Sequence, residues 1–233
     1  SMFPLSSARK SRWTKVADAA PVAVALRRFP AWLFLSCLVL SACRPSSSSP
    51  QPLPPPAVDG ELALRQAQAV YALGPKPSGS PGAAATIAFL QREIRNLGLN
   101  PRVDEWPEPT ADGAVTFRNL EVEVPGRQRD RFILFGCHYD TKRFVTNPDF
   151  AGANDGASGV GALLAMLAAL TAHSDPPPCA LRFVFLDGEE CLYEYGERDG
   201  LHGSRRHAAR IVRESPGACL AAIILDMIGD RDL

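Results

Sequence analysis

The sequence predicts an α/β fold with a mostly parallel central sheet. Short apolar runs typical of buried strands alternate with segments of helical periodicity between residues 132 and 225. Such an alternation of strands and helices is typical of a sheet covered by helices. The chain has 233 residues, of which 46% are hydrophobic, so it is long enough to bury one sizeable core.

The first 57 residues are predicted to lie outside this fold. Two arginines precede an apolar run that is too short to span a bilayer, which is typical of a secretory signal. The run ends in L-S-A-C, which resembles the lipobox of bacterial lipoproteins, so residues 1–43 are interpreted as an export signal and Cys43 as a lipidation site. An ordinary signal peptide cut after Ala42 is the alternative. Residues 44–57 are rich in Pro and Ser and are predicted to form a tether.

These features predict an exported protein, held at the membrane of the cell envelope by a lipid on Cys43.

Charge is unevenly distributed along the chain. Seven Lys and Arg and one acid precede residue 58, whereas 18 basic and 24 acidic residues follow. The predicted folded part is therefore mildly acidic, which argues against a nucleic-acid partner because that role needs a basic face.

The folded part begins with two predicted helices. Residues 58–73 show helical spacing and end at the turn-rich stretch G-P-K-P-S-G-S-P-G. A second apolar face with helical spacing covers Ala83–Leu97, and Gly98 then ends the helix.

Strands and further helices follow. The predicted strands are Arg102–Trp106, Leu120–Val124, Phe132–Phe135, Leu181–Leu186 and Leu220–Leu225. Two more helices are predicted, at Gly156–Ala172 and Gly203–Val212. The run Phe132–Phe135 is apolar on both faces, as expected of a central strand. The first of the two helices is rich in small residues, so we expect it to pack closely on the sheet.

The four cysteines of the predicted domain form no recognisable metal or redox motif. They are scattered, without a C-x-x-C pair or zinc-finger spacing. Export permits disulfides, but most of these cysteines fall in or beside predicted core strands. We therefore expect buried free thiols.

Acidic residues and a histidine follow the predicted strands. These residues are His138, Asp140, Asp155, Glu189, Glu190 and Asp226. In an open α/β sheet, ligands bind outside the carboxyl ends of the strands, so we expect these side chains to meet at one edge. Carboxylate oxygens and an imidazole nitrogen suit zinc, and an open coordination position would make the site catalytic.

Each of these residues taken alone has a simpler interpretation. An aspartate after a strand usually forms a turn or a helix cap, D-G-E-E is usually a solvated turn, and a lone core histidine is usually structural. Four separate segments that reach one edge favour a metal site over these separate roles. His173, His202 and His207 are instead predicted to have surface or capping roles.

The motifs resemble those of the zinc-dependent aminopeptidase superfamily that includes the glutaminyl-peptide cyclotransferases. The resemblance runs from about residue 74 to the end through G-P-K-P-S-G-S-P-G, G-C-H-Y-D-T-K, G-A-N-D-G-A-S-G, F-L-D-G-E-E and L-D-M-I-G. It implies a three-layer α/β sandwich over residues 58–233. It also implies that the domain is incomplete at its C-terminus, because the family's last zinc-binding histidine lies far downstream of L-D-M-I-G.

The resemblance assigns roles around a first zinc ion. Asp155 and Glu190 are expected to be ligands, and Asp155 would bridge if two ions are bound. Glu189 is expected to be the general acid and base. Tyr195 lies where the cyclotransferases place a substrate-stacking tryptophan.

The remaining roles differ between the two branches of the superfamily. In two-zinc aminopeptidases, residues matching His138 and Asp226 bind the second ion, and the one matching Asp140 orients the histidine. In the cyclotransferases a single zinc is held and the residue matching Asp226 forms hydrogen bonds in the active site.

The segment after the glutamates favours a cyclotransferase, which converts the N-terminal glutamine of peptides or proteins to pyroglutamate with one zinc ion. G-A-N-D-G-A-S-G is closer to the peptidases, so an aminopeptidase with two zinc ions is the alternative. A third possibility is an inactive fragment that lacks the last zinc-binding histidine.

Overall fold

A computed structural model describes residues 54–230 except residue 197. The predicted export signal, Cys43 and residues 44–53 of the tether lie outside the described residues. Within them, the imidazole Nε2 of His173 lies 3.2 Å from the carbonyl oxygen of Pro54. No helix in the described part of the chain has both the length and the apolar character needed to cross a bilayer.

Four helices and five strands make up the described domain. The helices are α1 Gly60–Tyr71, α2 Pro81–Asn96, α3 Ala157–Ala172 and α4 His202–Glu214. The strands are β1 Arg102–Thr110, β2 Gly113–Val124, β3 Gln128–His138, β4 Cys179–Leu186 and β5 Cys219–Ile224. All nine were predicted, but β1, β2 and β3 extend well beyond the predicted limits.

The five strands form one mixed sheet in the order β1-β2-β4-β3-β5. β3 runs parallel to both β4 and β5, whereas β1 with β2 and β2 with β4 are antiparallel. The prediction of a mostly parallel sheet is therefore wrong. The cause is the hairpin between β1 and β2, in which Thr110 pairs with Gly113, because a two-residue connection can join only antiparallel strands.

Helices cover both faces of the sheet, which gives three layers. On one face, Phe183 and Phe185 of β4 belong to the core that includes buried residues of α1, α2 and α3. On the other face, Val184 and Leu186 pack in a second cluster with Ile211 of α4. The alternation along β4 follows from the two-residue period of a strand, with both faces apolar because both are covered.

The small residues of α3 allow α1 to approach it closely. A Cβ atom added at Gly161 would lie 2.3 Å from the carbonyl oxygen of Ala63, so a larger residue would push the two helices apart. On the opposite side of α3, a Cβ added at Gly159 would lie 2.8 Å from that of Cys137. Close packing of this helix was predicted from its composition.

The four cysteines of the described residues are free thiols, as predicted. Cys137, Cys179 and Cys191 are buried, and Cys219 is partly exposed. Burial raises the pKa of the Cys137 thiol well above its ordinary value, with a further increase from the charge of Asp226. The Cys137 thiol is therefore a protonated packing group.

The core defined by α2 and the sheet gives a prediction about stability. Leu90 is fully buried, and Leu90→Ala should lower the free energy of unfolding by about 2–5 kcal/mol because it leaves a cavity. Leu64 on α1 is 53% exposed, and Leu64→Ala should change stability by less than about 0.5 kcal/mol. Urea unfolding of both variants measures the difference. Equal losses would contradict the packing described here.

Candidate metal centre

The parallel strands deliver the predicted site residues to one edge of the sheet. His138 is the last residue of β3, and the D-G-E-E turn follows β4 directly. After β5, the amide of Leu225 donates to the carbonyl oxygen of Gly136 at 2.8 Å, which continues the alignment with β3. Asp226 is thereby carried to the same edge as His138.

Three side chains meet at this edge. The Nε2 atom of His138 lies 3.0 Å from Oδ1 of Asp155 and 3.4 Å from Oδ1 of Asp226. The potential ligand atoms of these three residues all lie within 4.8 Å of one another. His138 is only 3% exposed, whereas the side chain of Asp226 is 52% exposed, so the cluster opens to solvent on the Asp226 side.

Local turns hold the two aspartates of this cluster in place. Gly156 follows Asp155 with a φ of +92°, and a Cβ there would lie 3.2 Å from the carbonyl oxygen of Asp140. After Asp226, the amide of Gly229 donates to Oδ1 of Asn154 at 2.7 Å. The segment that carries Asp226 is thus tied directly to the loop that carries Asp155.

Asp140 supports the two glutamates more directly than it supports the histidine. Its carboxylate accepts the backbone amides of Glu189 and Glu190, each at 3.1 Å. Its distance to Nδ1 of His138 is 3.5 Å, which is at the limit of hydrogen bonding. The resemblance implies that Asp140 orients His138. In the structure, however, the main contact of Asp140 is with the D-G-E-E turn.

Glu190 lies on the other side of Asp155. Contact with His138 lowers the pKa of Asp155, and the neighbouring carboxyl group of Glu190 lowers it further. Burial and then the charge of Asp155 raise the pKa of Glu190 to about 7. Lys142 Nζ lies 3.8 Å from the Glu190 carboxylate and also donates to the carbonyl oxygen of Cys191.

Glu189 points to a different partner from that of Glu190. The hydroxyl of Tyr195 lies 3.2 and 3.4 Å from the two carboxylate oxygens of Glu189, and 3.4 Å from Glu190. Burial raises the pKa of Glu189 above its ordinary value. The amide-anchored turn therefore presents one glutamate to Asp155 and the other to an exposed aromatic side chain.

The charge of this edge fits a divalent cation. Neither ring nitrogen of His138 has a well-formed hydrogen bond, although both are buried. Burial disfavours a charged imidazole, yet the carboxylates of Asp140 and Asp155 raise the pKa of His138 to about 11. The acids therefore require a positive charge here, and a cation with a neutral imidazole as ligand meets that requirement.

Some residues near the site were not identified from the sequence. Lys76 is fully buried, and Asp187 is fully buried at the start of the D-G-E-E turn. Burial raises the pKa of Asp187 to about 7, while its carboxylate accepts the Ser78 hydroxyl at 2.7 Å and the Arg118 amide at 2.8 Å. The position of Asp187 directly after a buried strand was the signal that could have found it.

Two histidines that were predicted to have surface or capping roles are buried instead. His202 is 4% exposed, stacks on Phe117 at 4.4 Å, and places Nδ1 3.0 Å from a carboxylate oxygen of Glu108. His207 is 3% exposed and faces Glu121 at 3.4 Å. Packing of α4 against the sheet buries both residues, and neither belongs to the metal cluster.

The fold and this site together define a mixed α/β domain with a candidate metal centre at one edge of its sheet. Residues 119–232 match the sequence profile of Peptidase family M28. This match and the relatives described below support the superfamily of zinc aminopeptidases and glutaminyl cyclotransferases that the motifs predicted.

The relatives found by sequence and by structure agree with this family. A glutaminyl-peptide cyclotransferase-like protein of Mus musculus is 34% identical over 66% of this chain and 44% of the relative. A glutaminyl cyclase structure from an Acidobacteriales bacterium superposes with a TM-score of 0.73 and 32% identity, over 81% of this chain and 65% of that one. A leucine aminopeptidase precursor of Bacteroides thetaiotaomicron shares the fold, with a TM-score of 0.65, 22% identity, and coverage of 78% of this chain and 66% of that one. The chain thus spans less than half of the mouse relative.

Cation binding can be tested through stability. Zinc that binds only the folded state should stabilise it by roughly 4 kcal/mol at a free concentration about 1,000 times Kd. Asp155→Asn should remove most of this effect because it removes a central ligand. Asp149→Asn, on an exposed part of the same loop, is the matched control and should retain the effect. Differential scanning calorimetry with and without zinc measures the shift, and an equal shift in both variants would exclude Asp155 as a ligand.

Proposed function

We propose that the full protein is a zinc-dependent glutaminyl-peptide cyclotransferase that acts on the N-termini of peptides or proteins. The observation that carries the proposal is the pair Glu189 and Glu190. One glutamate lies beside Asp155 and the other faces an exposed tyrosine beside the cation-binding edge. The names of the mouse and Acidobacteriales relatives support the same activity.

Asp155 and Glu190 are the residues that would hold the catalytic cation, together with the downstream histidine that the resemblance implies. Bound there, a zinc ion would supply positive charge that polarises the γ-carbonyl group of the substrate glutamine. The site is open at Tyr195 and Asp226, which are both about half exposed, so an N-terminal residue can enter from that side.

Glu189 carries the proton in this reaction. Its carboxylate takes a proton from the α-amine as the amine nitrogen attacks the γ-carbonyl carbon. The bond from that carbon to the side-chain nitrogen then breaks, and the proton leaves with ammonia. The raised pKa of Glu189 suits it for both halves of the transfer, because accepting and releasing a proton near neutral pH requires a pKa closer to 7.

An aminopeptidase is the second candidate, and the cluster around His138 favours it. In the aminopeptidase branch, residues matching His138 and Asp226 bind a second cation. Here their ligand atoms already lie within 4.8 Å of each other and of Asp155. Glu189 would then take a proton from an attacking water, and the peptide would be shortened by one residue.

One variant and two substrates separate these activities. The full-length protein should release ammonia from a glutaminyl peptide without shortening it, and should leave a leucyl peptide intact. Glu189→Gln should lower turnover by about 100-fold or more because the proton carrier is lost, while zinc remains bound. An ammonia assay, mass spectrometry of the peptide and zinc analysis give the three readouts.

Exposed Glu194 on the same loop provides the control, and Glu194→Gln should keep normal turnover. Release of leucine would favour the aminopeptidase, and loss of zinc from Glu189→Gln would mean that the roles of the two glutamates are reversed. A full-length protein that binds zinc but turns over neither substrate would contradict both activities.

Tyr195 gives a prediction about pH. Its hydroxyl lowers the pKa of Glu189 by donating to the carboxylate, so Tyr195→Phe should raise that pKa. Because the base must be ionised, kcat/KM falls as pH drops through the pKa, and the acid limb should move to higher pH. The pH profiles of the two proteins measure this. An unchanged acid limb would mean that Tyr195 does not contact the base during the reaction.

A further inference from the structure

Lys76 is a buried cation that the proposed reaction does not use. It lies in G-P-K-P-S-G-S-P-G, the loop between α1 and α2, and its side chain is fully buried. Lysine is almost never fully buried unless it is paired, because removing an ammonium group from water is costly. The contacts of Lys76 must therefore compensate for the lost hydration of its ammonium group.

The side chain of Lys76 reaches the loop that carries Asp155. Its Nζ donates to the carbonyl oxygen of Ala151 at 2.7 Å. Its backbone amide donates to the Thr141 hydroxyl at 3.0 Å, and the amide of Thr141 returns a bond to the Lys76 carbonyl at 3.3 Å. Lys76 thus joins the residue that follows Asp140 to the loop that precedes Asp155.

Gly152, which follows Ala151 in the loop held by Lys76, has little conformational freedom. Gly152 has a φ of +61°, and a Cβ there would lie 2.2 Å from the carbonyl oxygen of Asp155. The carbonyl oxygen of Gly152 accepts the amide of Ala157 at 3.1 Å. Because the chain closes on itself so tightly, a shift at Ala151 would pass directly to Asp155.

The charge of Lys76 suits this position. Burial lowers its pKa to about 8, while the charge of Asp140 acts in the opposite direction. The ammonium group therefore remains mainly protonated at neutral pH. It balances part of the negative charge that the acids at this edge carry, and it does so without occupying the cation-binding position.

We propose that Lys76 is a positioning residue that fixes the Asp155 loop through the Ala151 carbonyl and thereby sets the affinity for the cation. The inference rests on the cation site of the proposed function but not on which substrate is used. Residues that orient ligands in this way typically change metal affinity by about 10- to 100-fold when they are lost.

Lys76→Met in the full-length protein tests the inference, since Met fills a similar volume without a donor or a charge. Zinc affinity, measured by competition with a chelating dye, should fall by about 10- to 100-fold. Amide hydrogen exchange at residues 152–155 should become faster even without zinc. Turnover should recover at high zinc concentration, because Lys76 touches neither the substrate nor Glu189.

Leu90→Ala is the control for lost stability alone, and it should leave zinc affinity unchanged. Lys76→Gln, which keeps a donor but not the charge, serves if Lys76→Met does not fold, and it should also weaken zinc binding. If a folded Lys76 variant kept wild-type zinc affinity, the inference would be overturned but the proposed function would not. An equal loss of zinc affinity in Leu90→Ala would overturn the inference in the same way. A wild-type protein that binds no zinc would overturn both the inference and the proposed function.

Discussion

The electrostatic balance around the imidazole of His138 governs the arrangement of the site. Asp155 and Asp226 both direct an oxygen at its Nε2 atom, and Asp140 lies beside Nδ1. Acids this close repel one another, and the histidine is too buried for water to screen them. A positive charge among them, either a proton on the imidazole or a cation, relieves this repulsion. Parallel pairing of β3 with β5 brings His138 and Asp226 together, and the loop before α3 adds Asp155.

The D-G-E-E turn is rigid because buried carboxylates hold it at both ends. Asp187 at its start accepts the Ser78 hydroxyl and the Arg118 amide, and Asp140 accepts both glutamate amides. With the backbone fixed, adjacent side chains must diverge. Glu190 therefore meets Asp155 while Glu189 meets Tyr195. The different chemistry of two identical neighbouring residues thus arises from the backbone and its supports, which are distant in sequence.

The sequence predicted those parts of the molecule in which local pattern and tertiary burial agree. β4 is apolar on both faces and α3 is rich in small residues, so each was identified with its packing. β1 was predicted too short because Pro107 and Pro109 interrupt its pattern, although an edge strand tolerates proline. Its hairpin with β2 was consequently missed, and with it the mixed character of the sheet.

The site was predicted in the same uneven way. His138, Asp155 and Asp226 could be placed together because each follows or precedes an identifiable element at the carboxyl edge of the sheet. Lys76, by contrast, lies in a loop whose glycines and prolines predict only turns. Its burial depends on contacts with Thr141 and Ala151, more than 60 residues away. A polar residue buried by such distant contacts leaves no local pattern, which also explains why His202 and His207 were assigned to the surface.

Asp155 connects two halves of the site that carry different charge. On one side it meets His138 and Asp226, and on the other it lies beside Glu190. Lys142 lies 3.8 Å from Glu190, so this second half has a cationic neighbour, whereas the two aspartates of the first half face the imidazole of His138. A cation held by Asp155 and Glu190 would reduce the negative charge felt by His138. Positive charge held in one half would therefore weaken the attraction of the other half for a further positive charge.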